Sequence, residues 1–231
     1  MKPDMRSITI AGPAGKIEGV VHLPEACAEH GRGSEPRAIA VVAHPLTTMG
    51  GTMDNKIVTT LAKTFAELGF AALRFNFRGA GASEGMFDGG GGEVEDALIA
   101  AQHMVDRFGQ LPMILAGFSF GGYVQARVAE RFHPKARKLV LIAPAVGRFA
   151  LSTELRTGPS TLFRTSMPHV PHNTLLIHGE QDEVIPLSDA LDWARPQHLP
   201  VVVLPEAGHF FHGRLNQIKQ IVRHEFSGCD L

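Results

Sequence analysis

A serine lies between two glycines near the middle of the chain, in the order Gly117-Phe118-Ser119-Phe120-Gly121. This G-x-S-x-G pattern displays a nucleophilic serine when it follows a β-strand and opens a helix, because the glycines permit a sharp turn that lifts the side chain above the sheet. The flanks meet this condition: residues 113–116 form an apolar run, and Val124 and Val128 recur at helical spacing. A glycine-rich packing turn is the alternative interpretation. The context favours Ser119 as the nucleophile of an acyl-transfer reaction.

A serine hydroxyl needs a base that accepts its proton, so a histidine should lie on another loop at the same edge of the sheet. His209 meets this requirement, because it follows the apolar run 201–204 and precedes the last helical pattern. The chain has 12 histidines, and the alternatives are His44, His178 and His212. We expect His212 to begin the terminal helix, as a cap or a solvated side chain. Because His209 and His212 lack a third ligand at a recognisable spacing, no metal site is expected.

An acid must orient the histidine and stabilise its charged form. Asp182 is the best candidate, because it lies in the loop HGEQDEVIP, directly after the apolar run 174–177. Its neighbours Glu180 and Glu183 are alternatives for the same role. The competing loop, after the run 139–143, carries no acid. We therefore predict that Asp182 completes a triad with the serine and the histidine.

Negative charge develops on the carbonyl oxygen during acyl transfer, and backbone amides must point at that oxygen. Phe120 supplies one amide at the start of the helix that follows the serine. The second amide should come from the loop after the apolar run 38–43, which begins with a histidine and Pro45. Because Pro45 has no N–H, Leu46 is the first residue placed to donate, with Thr47 as the alternative.

Apolar runs along the chain predict the sheet that carries these loops. Runs that are apolar on both faces indicate parallel strands buried between helices. Two runs near the start flank the turn 12–15 and predict an antiparallel hairpin at one edge of the sheet. The predicted strands are Ser7–Ala11, Lys16–Leu23, Ala38–Ala43, Phe70–Phe75, Met113–Ala116, Leu139–Ala143, Thr174–Ile177 and Val201–Leu204.

Helical patterns separate the strands. Asp54 is a suitable N-cap for the first helix, which ends at Gly69, and Gly109 ends the second. The apolar positions of the four predicted helices are Ile57, Leu61, Phe65 and Leu68; Val94, Leu98, Ala101, Val105 and Phe108; Val124 and Val128; and Leu215, Ile218, Val222 and Phe226. The alternation predicts an α/β fold with a mostly parallel central sheet of about eight strands, helices on both faces and an antiparallel N-terminal edge.

Composition indicates one globular domain over residues 1–231. The chain is 44% hydrophobic and 19% charged, and its 22 basic and 23 acidic residues leave a net charge of −1, which gives no sign of nucleic-acid or membrane binding. Cys27 and Cys229 lie far apart, and we interpret both as reduced thiols. Without a recognisable signal peptide or membrane-spanning stretch, the expected location is the cytoplasm. The oligomeric state, monomer or homodimer, stays open.

The glycine-rich segment 76–85 lacks the G-x-x-x-x-G-K-[ST] pattern of a phosphate-binding loop and does not open directly into a helix. We expect a structural loop in which Arg78 pairs with a nearby acid. The following run of four glycines, residues 89–92, reads as a flexible segment before the next helix.

Six short motifs are spread over nearly the whole chain: His44-Pro45, Gly50 to Lys56, Asn76 to Gly79, Gly117 to Gly121, His178-Gly179 with Asp182, and Gly208 to Phe211. Together they resemble those of the small, capless α/β-hydrolases related to dienelactone hydrolases. The resemblance implies an α/β-hydrolase fold with a triad of Ser119, Asp182 and His209, in the chain order of that fold. It also implies that Leu46 and Phe120 frame the oxyanion. Dienelactone hydrolases use a cysteine nucleophile, and dehalogenases and epoxide hydrolases an aspartate, so the serine disfavours those activities.

The expected activity is that of a serine hydrolase that cleaves small or short-chain carboxylic esters through an acyl-enzyme, without a cofactor. Only about 30 residues separate the predicted strands at positions where many relatives insert a cap. We expect a short flap at about 147–172 instead, with one short helix and an irregular apolar segment, which leaves the site open to small acyl groups. A thioesterase or peptidase with the same triad, or a catalytically silent hydrolase-like binding module, is the alternative.

Overall fold

The computed structural model describes residues 4–25, 35–150, 162–165 and 167–227. The strands are β1 (Asp4–Gly12), β2 (Gly15–Leu23), β3 (Ala38–Ala43), β4 (Phe70–Phe75), β5 (Met113–Phe118), β6 (Lys138–Ile142), β7 (Gly147–Ala150), β8 (Leu162–Thr165), β9 (Leu175–Gly179) and β10 (Val201–Leu204). Eight of them form the central sheet, in the spatial order β1-β2-β4-β3-β5-β6-β9-β10.

Strand direction divides the central sheet into two parts. β1 pairs antiparallel with β2, and β2 pairs antiparallel with β4. From β4 to β10 all neighbouring strands are parallel. The predicted sheet of about eight strands with an antiparallel N-terminal edge is confirmed. Since parallel strands end at the same edge, the loops after β3, β5, β9 and β10 emerge together.

The helices that cover the sheet are α1 (Lys56–Glu67), α2 (Gly91–Phe108), α3 (Phe120–Arg131), α4 (Leu187–Ala194) and α5 (Leu215–Glu225). Asn55, not Asp54, is the N-cap of α1, and its side chain accepts a hydrogen bond of 2.9 Å from the amide of Ile57. The helix α4 was not predicted from the sequence. The terminal helix begins at Leu215, so the expectation that His212 begins it is wrong.

Alternate side chains of the central strands pack into two separate hydrophobic layers. In β3, Ile39 and Val41 face the layer that contains residues of α2, α3 and α4, whereas Ala40 and Val42 face the layer that contains residues of α1 and α5. Helices on both faces therefore explain why β3 is apolar at every position.

A second, two-stranded antiparallel sheet lies in the chain between β6 and β9. In this sheet β7 pairs with β8, with Gly147 opposite Thr165. The structure thus differs from the irregular apolar segment expected within the flap at about 147–172. The pairing escapes a local pattern search because each strand has only four residues and its partner is distant in sequence. Positions 151–161 of the flap lie outside the described residues, so the predicted short helix is not tested there.

Two other expectations concern the chain as a whole. Within the described ranges, no helix combines the length and the apolar character needed to cross a membrane. Cys27 and Cys229, interpreted above as reduced thiols, lie outside the described residues.

The loop after β4 is held by a buried ion pair. The Arg78 guanidinium donates through Nε (3.0 Å) and Nη2 (2.8 Å) to the two carboxylate oxygens of Asp96 in α2. Asp96 is almost fully buried, and this fork-to-carboxylate geometry is the strongest arrangement that arginine offers. The expected pairing of Arg78 with an acid is confirmed.

Two further acids hold the start of α2 through hydrogen bonds to backbone amides. Glu93 is buried and accepts hydrogen bonds from the amides of Gly90 (2.7 Å) and Asp88 (3.2 Å), while the Asp88 carboxylate accepts from the amide of Gly92 (2.8 Å). Burial, followed by the side-chain contact with Asp88, raises the pKa of Glu93 to about 7. The expected flexible glycine run is therefore an ordered helix cap, with Gly90 at a φ of 113°.

Candidate active site

Ser119 occupies the turn between β5 and α3, at the carboxyl edge of the parallel strands. Its φ of 54° lies in the left-handed region, which residues other than glycine rarely adopt. Backbones approach closely at both flanking glycines. A Cβ on Gly117 would lie 2.2 Å from the carbonyl oxygen of Gly121, and a Cβ on Gly121 would lie 2.4 Å from that of Ala43. The turn therefore has no room for a side chain at either position.

The backbone of Ser119 is held from both sides. Its amide donates to the carbonyl of Ile142 (2.9 Å), and its carbonyl accepts from the amides of Gly122 (2.9 Å) and Ala145 (3.0 Å). In the described structure the serine side chain makes no capping hydrogen bond to α3. The hydroxyl is consequently available to a group on another loop.

His209 is that group. Its Nε2 lies 3.0 Å from the hydroxyl oxygen of Ser119, and its Nδ1 lies 2.8 Å from Oδ2 of Asp182. All three side chains are buried, with exposed fractions of 8% for Ser119, 2% for His209 and 7% for Asp182. The structure thus brings together the serine, the base and the acid proposed from the sequence, at distances that allow proton transfer from hydroxyl to imidazole.

The carboxylate of Asp182 is fixed by its own loop. Oδ1 accepts hydrogen bonds from the amides of Val184 (2.9 Å) and Ile185 (2.7 Å), which leaves Oδ2 for His209. Burial by itself would raise the pKa of Asp182. The hydrogen bond and charge of His209, together with the two amides, outweigh burial and hold that pKa below its ordinary value. The group is charged at neutral pH and can stabilise an imidazolium.

Glu180 and Glu183, the alternatives for the acid, contact the histidine loop in a different way. Glu183 accepts a hydrogen bond from the backbone amide of His209 (3.2 Å), and Glu180 accepts one from the amide of Glu206 (2.8 Å). Neither of these bonds involves the imidazole ring. The two glutamates therefore tie the loop after β10 to the loop after β9.

His44, one of the histidine alternatives, is fully buried in the loop after β3. Its Nδ1 donates to the carbonyl of Pro45 (2.6 Å), and its Nε2 accepts from the amide of Phe77 (3.0 Å). Burial lowers its pKa to about 4, so the ring is neutral and both nitrogens are engaged by backbone groups. His212, the alternative three residues after His209, is exposed and lies between β10 and α5.

The two residues expected to stabilise an oxyanion flank the serine turn. Phe120 is the first residue of α3, and Leu46 precedes the short 3₁₀ helix Thr47–Met49. In the parts of the chain that the structure describes, the amide of neither Phe120 nor Leu46 donates to a backbone oxygen. Because a Cβ on Gly121 would lie 2.6 Å from the carbonyl oxygen of His44, the end of β3 and the start of α3 are in direct contact.

Sequence reasoning missed an aromatic residue beside the base. Phe210 is 45% exposed, and its ring centroid lies 5.2 Å from that of His209 and 6.4 Å from that of Phe118. An exposed apolar side chain beside a buried polar site is typical of a substrate contact. The signal for Phe210 was its position next to the candidate base.

Comparison with known proteins gives one family, one relative in sequence and two similar structures. The family described as serine aminopeptidase, S33, matches residues 34–171. An uncharacterized protein of Rickettsia prowazekii is 30% identical over 229 residues, covering 94% of this chain and 87% of that protein. A serine hydrolase of Xanthomonas campestris, described as lacking a lid, has 33% identity and a TM-score of 0.80 over 98% of this chain and 95% of that chain. A serine hydrolase homologue of Coxiella burnetii has 36% identity and a TM-score of 0.75 over 97% of each chain.

Proposed function

Because this chain belongs to the serine aminopeptidase S33 family of α/β serine hydrolases, we propose that it hydrolyses small or short-chain carboxylic esters with Ser119 as nucleophile. The observation that carries the proposal is the continuous chain of contacts from the Ser119 hydroxyl through His209 to Asp182. Such a chain activates a hydroxyl that is otherwise a weak nucleophile.

In the first half of the reaction, the Ser119 oxygen attacks the ester carbonyl carbon as its proton passes to Nε2 of His209. The tetrahedral intermediate carries its negative charge on the former carbonyl oxygen, which the amides of Leu46 and Phe120 stabilise. His209 then returns the proton to the alkoxide, which leaves as the alcohol, and the acyl group stays on the serine. Asp182 keeps Nδ1 protonated and stabilises the imidazolium throughout.

In the second half, water replaces the serine as nucleophile. His209 accepts a proton from the water as its oxygen attacks the acyl carbon, and the proton is returned to the serine oxygen as the carboxylic acid leaves. The same amides stabilise the second tetrahedral intermediate. These steps use only groups of the chain and water.

The preference for small esters is supported by the surroundings of the serine. The flap between β6 and β9 is short, and the Xanthomonas campestris relative is described as having no lid. Phe210, whose ring lies against that of His209, is 45% exposed and offers a small apolar surface for an acyl group. An open site with little apolar area contributes little binding energy to a long acyl chain.

An aminopeptidase is the second candidate, because the matching family is described by that activity. Such an enzyme has to bind the ammonium group of its substrate, which calls for a carboxylate facing the substrate. Glu180 and Glu183, the acids in the loop after β9 other than Asp182, bond to backbone amides of the histidine loop. An ester needs no such carboxylate, so the described residues of this loop favour an ester. A thioesterase would use the same machinery.

A fluorophosphonate probe tests the nucleophile, and a substrate panel tests the bond cleaved. We expect wild-type protein to be labelled and the Ser119→Ala variant to stay unlabelled. Esters, thioesters and aminoacyl amides of graded acyl length should show fastest turnover for acetate and butyrate esters. An unlabelled wild-type protein would indicate a silent binding module, and faster turnover of amides or long-chain esters would overturn the substrate proposal.

A further inference from the structure

A second histidine lies against the acid of the proposed triad. His178 is the fourth residue of β9, and its side chain is fully buried. Its Nε2 is 2.9 Å from the carbonyl oxygen of Ile185 and 3.5 Å from Oδ2 of Asp182. That carboxylate oxygen is also the one that accepts the hydrogen bond from His209. Two imidazole rings therefore face one oxygen atom.

The neighbours of His178 fix its protonation. A backbone carbonyl and a carboxylate can only accept, so Nε2 must carry the proton. Nδ1 is buried and has no hydrogen-bond partner among the described residues, so a second proton there would have no acceptor. Burial correspondingly lowers the pKa of His178. The ring is thus a neutral donor whose single N–H points at the acid loop.

Ile185 connects this donor to the carboxylate. Its amide donates to Oδ1 of Asp182 at 2.7 Å, and its carbonyl accepts from His178 at 2.9 Å. The peptide groups around Ile185 are therefore held at both ends, and the carboxylate is held with them. Any rotation of the carboxylate away from His209 would have to break the bond to the Ile185 amide or pull the turn away from His178.

We propose that His178 is a positioning residue that orients the Asp182 carboxylate toward His209, through the carbonyl of Ile185 and through its own N–H beside Oδ2. This inference rests on the proposed function, because it assigns His178 a role in the reactivity of Ser119. Among the described residues the Ser119 hydroxyl is bonded to His209 and not to His178, so His178 acts through Asp182 rather than as a base.

The contrast with His22 separates positioning from simple packing. His22 is also fully buried, and its Nε2 accepts a 2.9 Å hydrogen bond from Nε of Arg74. It lies in β2, and four strands of the central sheet separate β2 from β9, about 24 Å at the usual strand spacing. Loss of His22 removes a buried, bonded imidazole without touching the acid loop.

The test compares His178→Leu, His178→Gln and His22→Leu in the full chain. Leucine at 178 removes the donor, whereas the glutamine amide restores an N–H near the position of Nε2. The first readout is the rate of fluorophosphonate labelling, in which the Ser119 oxygen bonds to phosphorus, fluoride leaves and His209 takes the proton. The second is the downfield proton resonance of the His209 Nδ1–H that bonds to Asp182. Circular dichroism and the melting temperature report folding, and His178→Asn replaces His178→Leu if the latter does not fold.

We expect His178→Leu to be labelled about tenfold more slowly and to lose or shift the downfield resonance, a loss well below the roughly 10⁴-fold cost of a misoriented triad histidine. His178→Gln should recover most of the rate and the resonance, and His22→Leu should keep both. If folded His178→Leu is labelled at the wild-type rate with an unchanged resonance, or if glutamine rescues neither readout, the inference is wrong. If wild-type protein is not labelled at all, the proposed function fails instead, and the resonance alone decides the role of His178.

Discussion

Two buried carboxyl groups, Asp182 in the loop after β9 and Glu93 in the first turn of α2, have pKa values shifted in opposite directions. Burial favours the neutral form of both groups. At Asp182 the imidazole of His209 and two backbone amides outweigh burial, and the pKa falls below its ordinary value. At Glu93 the side chain of Asp88 adds to burial, and the pKa rises to about 7.

The difference shows that burial alone does not decide whether a buried carboxyl stays charged, because the partners of the group can outweigh burial or add to it. Asp182 faces only hydrogen-bond donors, so its charge is retained for use against an imidazolium. Glu93 faces another acid, and the pair is most stable when it shares a proton. One site therefore holds a fixed charge, and the other exchanges a proton near neutral pH.

Of the substitutions that test this comparison, Asp182→Asn is expected to have the largest effect. The amide keeps an acceptor for Val184 and Ile185 but removes the charge that stabilises the His209 imidazolium. We expect kcat for the best ester to fall by roughly 10⁴-fold, about 5 kcal/mol of barrier, with the fold retained by circular dichroism. Unchanged activity would instead move the acid role to Glu180 or Glu183.

The next largest effect concerns Glu93 and pH. The folded-state pKa of about 7 lies above the ordinary value of 4.5, so the folded chain binds more protons than the unfolded chain between these values. The contribution of Glu93 to the free energy of unfolding is therefore fully present below pH 4.5 and is lost as the pH rises through about 7. The difference between the two pKa values corresponds to at most about 3 kcal/mol.

Glu93→Gln removes the titrating carboxyl, and its carbonyl oxygen can keep one of the two amide hydrogen bonds that Glu93 accepts. We expect the difference in melting temperature between the variant and the wild-type protein to shift in favour of the variant as the pH rises from 4.5 to 8. The rate of fluorophosphonate labelling, measured at one pH, should stay near the wild-type rate. A shift in favour of the wild-type protein would show that Glu93 is charged and stabilised in the fold.

A smaller effect is expected at Glu183, which holds the backbone rather than the ring of His209. Glu183→Leu removes the acceptor for the His209 amide, and we expect kcat to fall about tenfold, or about 1.4 kcal/mol of barrier. Glu183→Gln is the matched control, since its carbonyl oxygen can still accept that bond. A loss in Glu183→Gln as large as in Asp182→Asn would contradict the separation of roles.

The strands of the sheet were predictable from the sequence because burial on both faces makes a strand such as β3 apolar at every residue. Features that depend on distant partners were not predictable from the sequence. The helix α4 is eight residues long and buries only Ala190 and Ala194, too few positions for a periodic pattern. Asp54 and Asn55 are both good caps by type. Asp54 instead pairs with Arg74 of β4, a contact that a local pattern does not contain.

The candidate site divides in the same way. Ser119 was predictable because the glycines that its turn requires are adjacent in sequence. His209 and Asp182 followed from their positions after buried strands. The part played by His178 depends on the carbonyl of Ile185, seven residues on, coming back to within 2.9 Å of its ring. The behaviour of Glu93 depends likewise on the conformation of a glycine run, which the sequence alone suggested to be flexible.

The turn at Ser119 is secured through main-chain atoms, with its amide bonded to Ile142 and its carbonyl bonded to Gly122 and Ala145. The conformation of the turn therefore does not depend on the hydroxyl oxygen of Ser119. Other small nucleophiles at this position should inherit the same presentation to His209, with no need to rebuild the loop. A cysteine at this position would suit the capture of reaction intermediates. An inert alanine would suit the binding of intact substrate.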